Sequence, residues 1–147
     1  MATARGFTLI ELTVVLLIMV LGLSVISINI SSGNQATQLK AITRDLTSAL
    51  RYARGQALIS HQEVVVSINL ADNNYKVSNR DKLYPFSDEI EVTVVVAQDE
   101  FKDGEIAQIR FYADGSCSGG RLTMEWGALK SIIDVNWLTG KVDISNE

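Results

Sequence analysis

An uncharged apolar run near the N-terminus constrains this chain more than any other feature. No Asp, Glu, Lys or Arg lies between Glu11 and Lys40, and residues 7–30 are predominantly apolar. As a helix rising ~1.5 Å per residue, residues 7–30 would be roughly 36 Å long, which is enough to cross a hydrocarbon core of about 30 Å. We therefore expect residues 7–30 to form a transmembrane helix. Arg5 is the only charge before the run, so the positive-inside rule places the N-terminus in the cytoplasm.

One carboxylate interrupts the apolar run. Glu11 lies about one helical turn after Phe7, and a carboxylate in hydrocarbon is costly unless it is paired, so it is a functional candidate. Glu11 could alternatively lie at the lipid headgroups and remain hydrated. An ordinary secretory signal peptide would have a basic start, an apolar stretch and small residues at its cleavage site. Arg5, Ser24 and Ser27 fit that pattern loosely, but Glu11 does not.

The charge of the chain changes sign after residue 62. Residues 1–62 carry five Lys and Arg against two Asp and Glu, a net charge of +3, whereas residues 63–147 carry eight against fifteen, a net charge of −7. The acidic second part argues against nucleic acid as the main partner, since nucleic-acid-binding surfaces are basic. One Cys and one His exclude an internal disulfide, a Cys-based zinc site and any mechanism that needs two histidines.

A second helical pattern follows the apolar run. Residues 31–34, which are poor helix formers, could loosen or bend the helix, and residues 31–62 predict an amphipathic continuation that ends near Ser60 and His61. Its apolar side chains recur at spacings of three and four: Leu39, Ile42, Leu46, Ala49, Leu50, Ala53 and Ala57. A basic stripe lies roughly 130° around the helix and consists of Lys40, Arg44, Arg51 and Arg54. This stripe is either a solvated face or a contact for acidic surfaces of another subunit.

From residue 63 the hydrophobic period changes to two, which predicts a β-rich head over residues 63–147. Alternation occurs in six runs: 64–70, 90–96, 108–112, 121–126, 133–137 and 142–144. Turn signals separate these runs at 72–74, 114–115, 119–120 and 139–140. We expect an α+β fold in which the long helix packs on one face of an antiparallel β-sheet. Met124, Trp126 and Trp137 are expected to lie in its core.

The residues at the start of the apolar run resemble a processing signal. The sequence RGFTLIE at residues 5–11 resembles the class III signal of type IV pilins and type II secretion pseudopilins, a motif that is specific when an uncharged span follows it. The resemblance implies that a prepilin peptidase removes the leader 1–6 by cleavage after Gly6. It further implies N-methylation of Phe7, an assembly role for Glu11 and a pilin-like fold.

Two segments of the head resemble the H-type minor pseudopilins of type II secretion. The segment FYADGSCSGGRL at residues 111–122 resembles their F-x-x-D-G-S-x-S-G-G signature, and VNWLTGKV at 135–142 resembles their closing hairpin. Residues 72–105 resemble nothing recognisable. The signature turn consists of Asp114, Gly115, Ser116, Gly119 and Gly120.

This second resemblance implies a structural subunit without a cofactor, held in the bacterial inner membrane by a single span. The N-terminus would be cytoplasmic and the head periplasmic, within a pseudopilus that supports export of folded proteins. The implied partners are other minor pseudopilins, the major pseudopilin, the prepilin peptidase, the inner-membrane assembly platform and, as a further candidate, secreted cargo. A minor pilin of a type IV pilus, acting in assembly initiation or DNA uptake, is the alternative. A second alternative is a membrane-anchored periplasmic enzyme. Such a protein would retain residues 1–6 and would need a set of catalytic residues.

Four chemical interpretations of the head are weaker than that of a structural subunit. Asp114, Ser116 and His61 could be imagined as a catalytic triad, but the flanking glycines already explain the segment as a β-turn. The same glycines lack the lysine and the following helix of a phosphate-binding loop. The acidic segment 88–105 could supply calcium ligands, although a solvated acidic surface is favoured. Cys117 is either a tolerated small residue or a cross-linking thiol, and we favour the former.

Overall fold

The computed structural model describes the backbone of residues 8–102 and 104–146, and the side chains of these residues except 22–33 and 146. The chain divides into two compact units, Met1–Ala36 and Thr37–Glu147. An α-helix, α1, spans Leu9–Ser60 and continues through residues 31–34, so the poor helix formers there do not end it. His61 follows with a φ of 53°, a left-handed conformation that commonly ends helices, close to the predicted end.

The second half of α1 buries the predicted apolar stripe. Leu46, Leu50 and Ala53 are fully buried, as their spacing of three and four residues requires for one face of a helix. Thr43 and Thr47 are each only 2% exposed, so this face also carries two hydroxyl groups that an apolar pattern does not reveal.

Among the described residues of the second unit, nine strands follow the helix. In chain order they are β1 Val64–Asn69, β2 Asn74–Val77, β3 Leu83–Pro85, β4 Glu91–Val95, β5 Phe101–Lys102, β6 Ile106–Phe111, β7 Gly120–Trp126, β8 Leu129–Val135 and β9 Val142–Asn146. A short 3-10 helix, Gln98–Glu100, precedes β5. The predicted runs correspond to β1, β4, β6, β7, β8 and β9, whereas β2, β3 and β5 were not predicted.

The strands form two antiparallel sheets and not the single sheet expected. One sheet has the order β3-β2-β1-β6-β5, and the other has the order β4-β7-β8-β9. Both sheets and α1 contribute to one hydrophobic core, in which Ile109 of the first sheet and Leu122 and Ile133 of the second are fully buried beside Leu50. The period of two identifies the inward-facing residues, but it does not specify which strands are neighbours.

Of the three large side chains assigned to the core, only Met124 is fully buried. Trp126 is half-buried and packs against the core. Trp137 is 65% exposed, so its assignment to the core was wrong. The reason is that β8 ends at Val135, so Trp137 lies in the following loop, where the alternation of a strand no longer applies.

Candidate functional site

The predicted processing residues, Gly6 and Phe7, lie outside the described residues. Glu11 is described and lies in the first turn of α1. Its backbone N–H faces Thr8, with Thr8 O at 3.1 Å and Thr8 Oγ1 at 3.3 Å, the pattern of a helix N-cap. The Glu11 carboxylate is therefore near the helix N-terminus, where the partial positive charge of the helix dipole favours an anion.

The helix surface that follows Glu11 is apolar and uncovered. Nine of its large apolar side chains are between 45% and 63% exposed: Leu12, Val14, Val15, Leu16, Leu17, Ile18, Met19, Val20 and Leu21. Within the described part of the chain, no helix combines the length and mean hydropathy of a membrane-crossing segment. An apolar surface of this extent is unusual on a soluble monomer and is typical of a lipid or protein contact.

In the head, residues 111–118 form a narrow turn that begins at the end of β6. Gly115 N donates to Tyr112 O at 3.0 Å, and Tyr112 N donates to Ser116 O at 3.0 Å. Asp114 Oδ1 accepts hydrogen bonds from the Ser116 N–H at 2.9 Å and from the Ser116 hydroxyl at 2.6 Å. These hydrogen bonds lower the pKa of Asp114 from its ordinary value. They give Asp114 and Ser116 a local role in closing the turn.

The signature turn also carries the chain from one sheet to the other. Gly115, Gly119 and Gly120 all have positive φ angles, and β7 of the second sheet begins at Gly120. At Gly119 a Cβ atom would lie 2.9 Å from Trp137 Cβ, which is closer than side chains can approach. Glycine is therefore required at Gly119 both by its φ of 75° and by the neighbouring loop.

The β8–β9 loop, residues 136–141, packs against the signature turn. Cys117 N donates to Trp137 O at 2.9 Å, and the Cys117 thiol donates to Asn136 O at 3.2 Å. At Gly140 a Cβ atom would lie 2.5 Å from Gly115 O. The two segments that carry the H-type resemblance are thus in direct contact with each other.

Two arginines of α1 hold the β8–β9 loop and β9. Arg51 Nη2 donates to Val142 O at 2.9 Å, and Arg54 Nε donates to Thr139 O at 3.0 Å. Charge-assisted hydrogen bonds of this kind are stronger than neutral ones. The basic stripe is therefore only partly a free surface. The other two members of the stripe, Lys40 and Arg44, are exposed, and neither takes part in the ion pairs of the described residues.

The structure does not assemble the imagined triad. Ser116 donates its hydroxyl to Asp114, and the described hydrogen bonds include none between Ser116 and His61. His61 is exposed and occupies the left-handed position after α1. The glycine-rich segment leads into β7 and not into a helix, so it lacks the helix N-terminus that binds phosphate in a nucleotide-binding loop.

Cys117 is buried and unbridged. Burial raises the pKa of its thiol, which depletes the reactive thiolate. This environment agrees with a tolerated small residue and disfavours the cross-linking alternative.

The acidic segment 88–105 is not a uniformly solvated surface. Glu100 is only 9% exposed and pairs with Arg110, whose Nε lies 3.3 Å from Glu100 Oε1; Arg110 also pairs with Glu63. The expectation of a solvated segment was therefore wrong for Glu100, because a cation of β6 reaches it. No cluster of three or more metal-binding side chains occurs among the described residues, which exclude Asp103.

The chain matches known proteins of bacterial secretion in sequence. The model of a family described as type II transport protein GspH matches residues 43–139. Type II secretion system protein H of Xanthomonas campestris pv. campestris is 24% identical over 139 residues, which cover 94% of this chain and 81% of that protein. The family match includes residues 72–105, for which the sequence alone suggested no resemblance.

Two kinds of solved structure share the fold. The minor pseudopilin EpsH from the type 2 secretion system of Vibrio cholerae has a TM-score of 0.58 at 9% identity, covering 73% of this chain and 95% of that one. The type IV minor pilin FimU of Pseudomonas aeruginosa has a TM-score of 0.57 at 9% identity, covering 76% of this chain and 90% of that one. The expected pilin-like α+β fold is therefore confirmed.

Proposed function

The chain belongs to the family of the type II transport protein GspH, so it is a minor pseudopilin of type II secretion, and we propose that it acts at or near the tip of a periplasmic pseudopilus. In this position it supports the export of folded proteins across the outer membrane as a structural subunit and not as an enzyme. The family match over residues 43–139 is the observation that carries this function. Its partners in this proposal are other minor pseudopilins, the major pseudopilin and the inner-membrane assembly platform, with secreted cargo as a further candidate.

We propose that residues 7–30 anchor the chain in the inner membrane before assembly, with the N-terminus in the cytoplasm and the head in the periplasm. The absence of charge between Glu11 and Lys40 and the exposed apolar side chains of the first part of α1 support this arrangement. A prepilin peptidase would first remove residues 1–6 by cleavage after Gly6, and Phe7 would then be N-methylated. Residues 31–62 would continue the helix into the head, residues 63–147.

Glu11 is proposed to fix the axial position of the subunit in the filament. Cleavage after Gly6 creates an α-amino group whose ordinary pKa is about 8, so much of it is cationic near neutrality. The amino group of Phe7 in one subunit can then meet the Glu11 carboxylate of a neighbour between apolar helices. A buried ion pair adds little net stability, but removing one partner is costly. The pair would therefore penalise every register that leaves either charge unpaired.

A minor pilin of a type IV pilus is the alternative, and the similarity to FimU, nearly equal in TM-score to that of EpsH, supports it. A role in DNA uptake would require a basic head, whereas residues 63–147 carry a net charge of −7. Salt-dependent binding of duplex DNA by the purified chain would favour this alternative. We expect no such binding.

The N-terminus of the native protein tests the proposal directly. We expect intact mass and N-terminal sequencing to find a chain that begins at methylated Phe7 in cells with prepilin peptidase, and at Met1 in cells without it. A chain that keeps residues 1–6 in peptidase-positive cells would contradict both the processing and the assembly role.

A substitution at Glu11 tests the assembly step separately. Glu11→Ala should leave the protein in the membrane fraction but prevent its co-purification with the major pseudopilin, because the neighbour's amino group loses its partner. Glu91→Ala is the matched control, since it removes an exposed carboxylate of the head. Normal incorporation of Glu11→Ala into the filament would count against the proposed role of Glu11.

A further inference from the structure

A groove of the second unit lies between α1 and the β2–β3 hairpin. Its main cavity has a volume of about 360 Å³. An adjoining depression of about 240 Å³ shares four of its lining residues and extends to Ile42. Because the lining helix residues run from Ile42 to Tyr52, the groove follows α1 for roughly 15 Å. We call it the tyrosine groove and define it by Asp45, Tyr52, Tyr75, Arg80, Lys82 and Tyr84.

Aromatic rings hold the two cations of the tyrosine groove in place. Arg80 Cζ lies 3.7 Å from the centroid of the Tyr52 ring, and Arg80 Nη1 donates to Tyr84 Oη at 3.1 Å. Lys82 Nζ lies 4.9 Å from the centroid of the Tyr84 ring. Tyr84 in turn stacks on Tyr75, with ring centroids 5.0 Å apart. Such cation–π contacts fix the orientation of the guanidinium without neutralising its charge.

Neither cation has a carboxylate partner among the ion pairs of the described residues. Asp45 lines the same cavity but does not pair with either of them. A guanidinium has five N–H donors, and the hydrogen bond to Tyr84 uses one of them. The groove therefore presents oriented donors and positive charge beside apolar ring surfaces, in a chain whose net charge is −4.

We propose that the tyrosine groove binds an extended acidic segment of a partner polypeptide. A carboxylate of that segment pairs with Arg80 and Lys82, since planar guanidinium donors match the two oxygens of a carboxylate. Its neighbouring aliphatic side chain packs on the apolar part of the lining, which includes Ala49 and the edges of the tyrosine rings. At about 3.3 Å per residue, the groove accommodates four to five extended residues.

The edge of the first sheet favours side-chain recognition over strand addition. β3 is the outermost strand and has only three residues, the last of which is Pro85. A short edge strand that contains proline is a poor template for pairing with another strand. The segment would therefore be recognised by its carboxylates and its apolar side chains.

Fluorescence anisotropy tests this proposal on the full chain in detergent micelles. The probe is a fluorescein-labelled short peptide of alternating glutamate and leucine, and its counterpart has glutamine in place of glutamate. We expect saturable binding of the glutamate peptide that weakens as NaCl is added, and no binding of the glutamine peptide. Arg80→Gln should weaken binding about tenfold because a charge-assisted hydrogen bond is lost, and Lys82→Gln should weaken it by a smaller factor.

Lys76→Gln is the matched control. Lys76 lies on the same hairpin, and its substitution removes the same charge. Its side chain is exposed on β2 next to buried Tyr75, so it points to the opposite face of the sheet. This variant should bind the peptide within about twofold of the unmodified chain. The proposal is overturned if no saturable binding occurs, if the glutamine peptide binds equally well, or if Lys76→Gln loses as much affinity as Arg80→Gln. None of these results would affect the proposed processing at Gly6 or assembly through Glu11, which do not use the groove.

Discussion

Two threonines on the buried face of α1 differ in whether their hydroxyl group has a hydrogen-bond partner, and this difference predicts opposite effects of the same substitution. Thr43 and Thr47 are each 2% exposed and lie about one helical turn apart. The Thr43 hydroxyl donates to Leu39 O at 2.8 Å and lies 3.7 Å from Met124 Sδ. Thr47 Oγ1 is buried without a hydrogen-bond partner among the described atoms. Thr47 therefore carries an uncompensated cost of desolvation.

Valine replaces the hydroxyl group of threonine with a methyl group of similar size and keeps the branched Cβ. An unsatisfied buried polar group costs about 1–3 kcal/mol, so Thr47→Val should raise the free energy of unfolding by about 1–2 kcal/mol. Thr43→Val should lower it by about 1 kcal/mol, because it removes a hydrogen bond that is made. For a unit of this size, 1 kcal/mol corresponds to a shift in Tm of roughly 4 °C.

Thermal unfolding of the purified full chain in detergent micelles measures both effects, with the fluorescence of half-buried Trp126 as the signal. We expect Tm to rise by about 4–8 °C for Thr47→Val and to fall by about 4 °C for Thr43→Val. Equal shifts for the two variants, or a fall in Tm for Thr47→Val, would refute the reasoning. Either result would mean that the Thr47 hydroxyl has a partner, such as a buried water molecule.

Two further predictions concern the signature turn and the loop that packs on it. Gly140→Ala should destabilise the head by at least about 2 kcal/mol, because the new Cβ would collide with backbone. Gly127 has a similar φ but open space around it, so the control Gly127→Ala should cost about 1 kcal/mol. Equal Tm values for the two variants would contradict the role of packing at Gly140. The Cys117 thiol should react with a maleimide only as fast as the head opens, since it is buried. Rapid labelling of the native chain would contradict the burial. Because burial raises the pKa of the Cys117 thiol in the folded chain, the buried neutral thiol contributes stability below the ordinary thiol pKa, and this contribution is lost as the pH rises through the raised pKa.

The sequence predicts the elements of this fold better than their arrangement. The burial of Leu46 and Leu50 follows from helical spacing, and that of Ile133 follows from alternation in a strand. Alternation does not reveal strand β2, because this strand has only four residues and begins at the end of a turn signal. Tyr75 of β2 is buried through ring contacts with Tyr84 and Phe86, which depend on the tertiary fold.

The candidate site could likewise be predicted only where the sequence pattern is local. The signature turn was predicted from Asp114, Gly115 and the glycines that follow, because these residue types specify turns locally. Its contact with the β8–β9 loop joins residues that are about 20 positions apart, and no local pattern encodes such a contact. The exposure of Trp137 and the burial of Glu100 have the same origin, since each depends on a neighbour that is distant in sequence.

The signature turn and the tyrosine groove have different roles in the head, one in stability and the other in binding. The signature turn connects the two sheets, packs on the β8–β9 loop and lies beside arginines of α1 that bind this loop. These contacts are internal, so substitutions there should change Tm. The hairpin side of the tyrosine groove lies in residues 75–84, outside the two segments that carry the H-type resemblance, and its cations point to an external ligand. Substitutions at Arg80 should therefore change peptide affinity while leaving Tm nearly unchanged, since exposed charges contribute little to stability. A fall in Tm for Arg80→Gln as large as that for Gly140→Ala would show that the cations hold the hairpin on the helix and are not displayed for a partner.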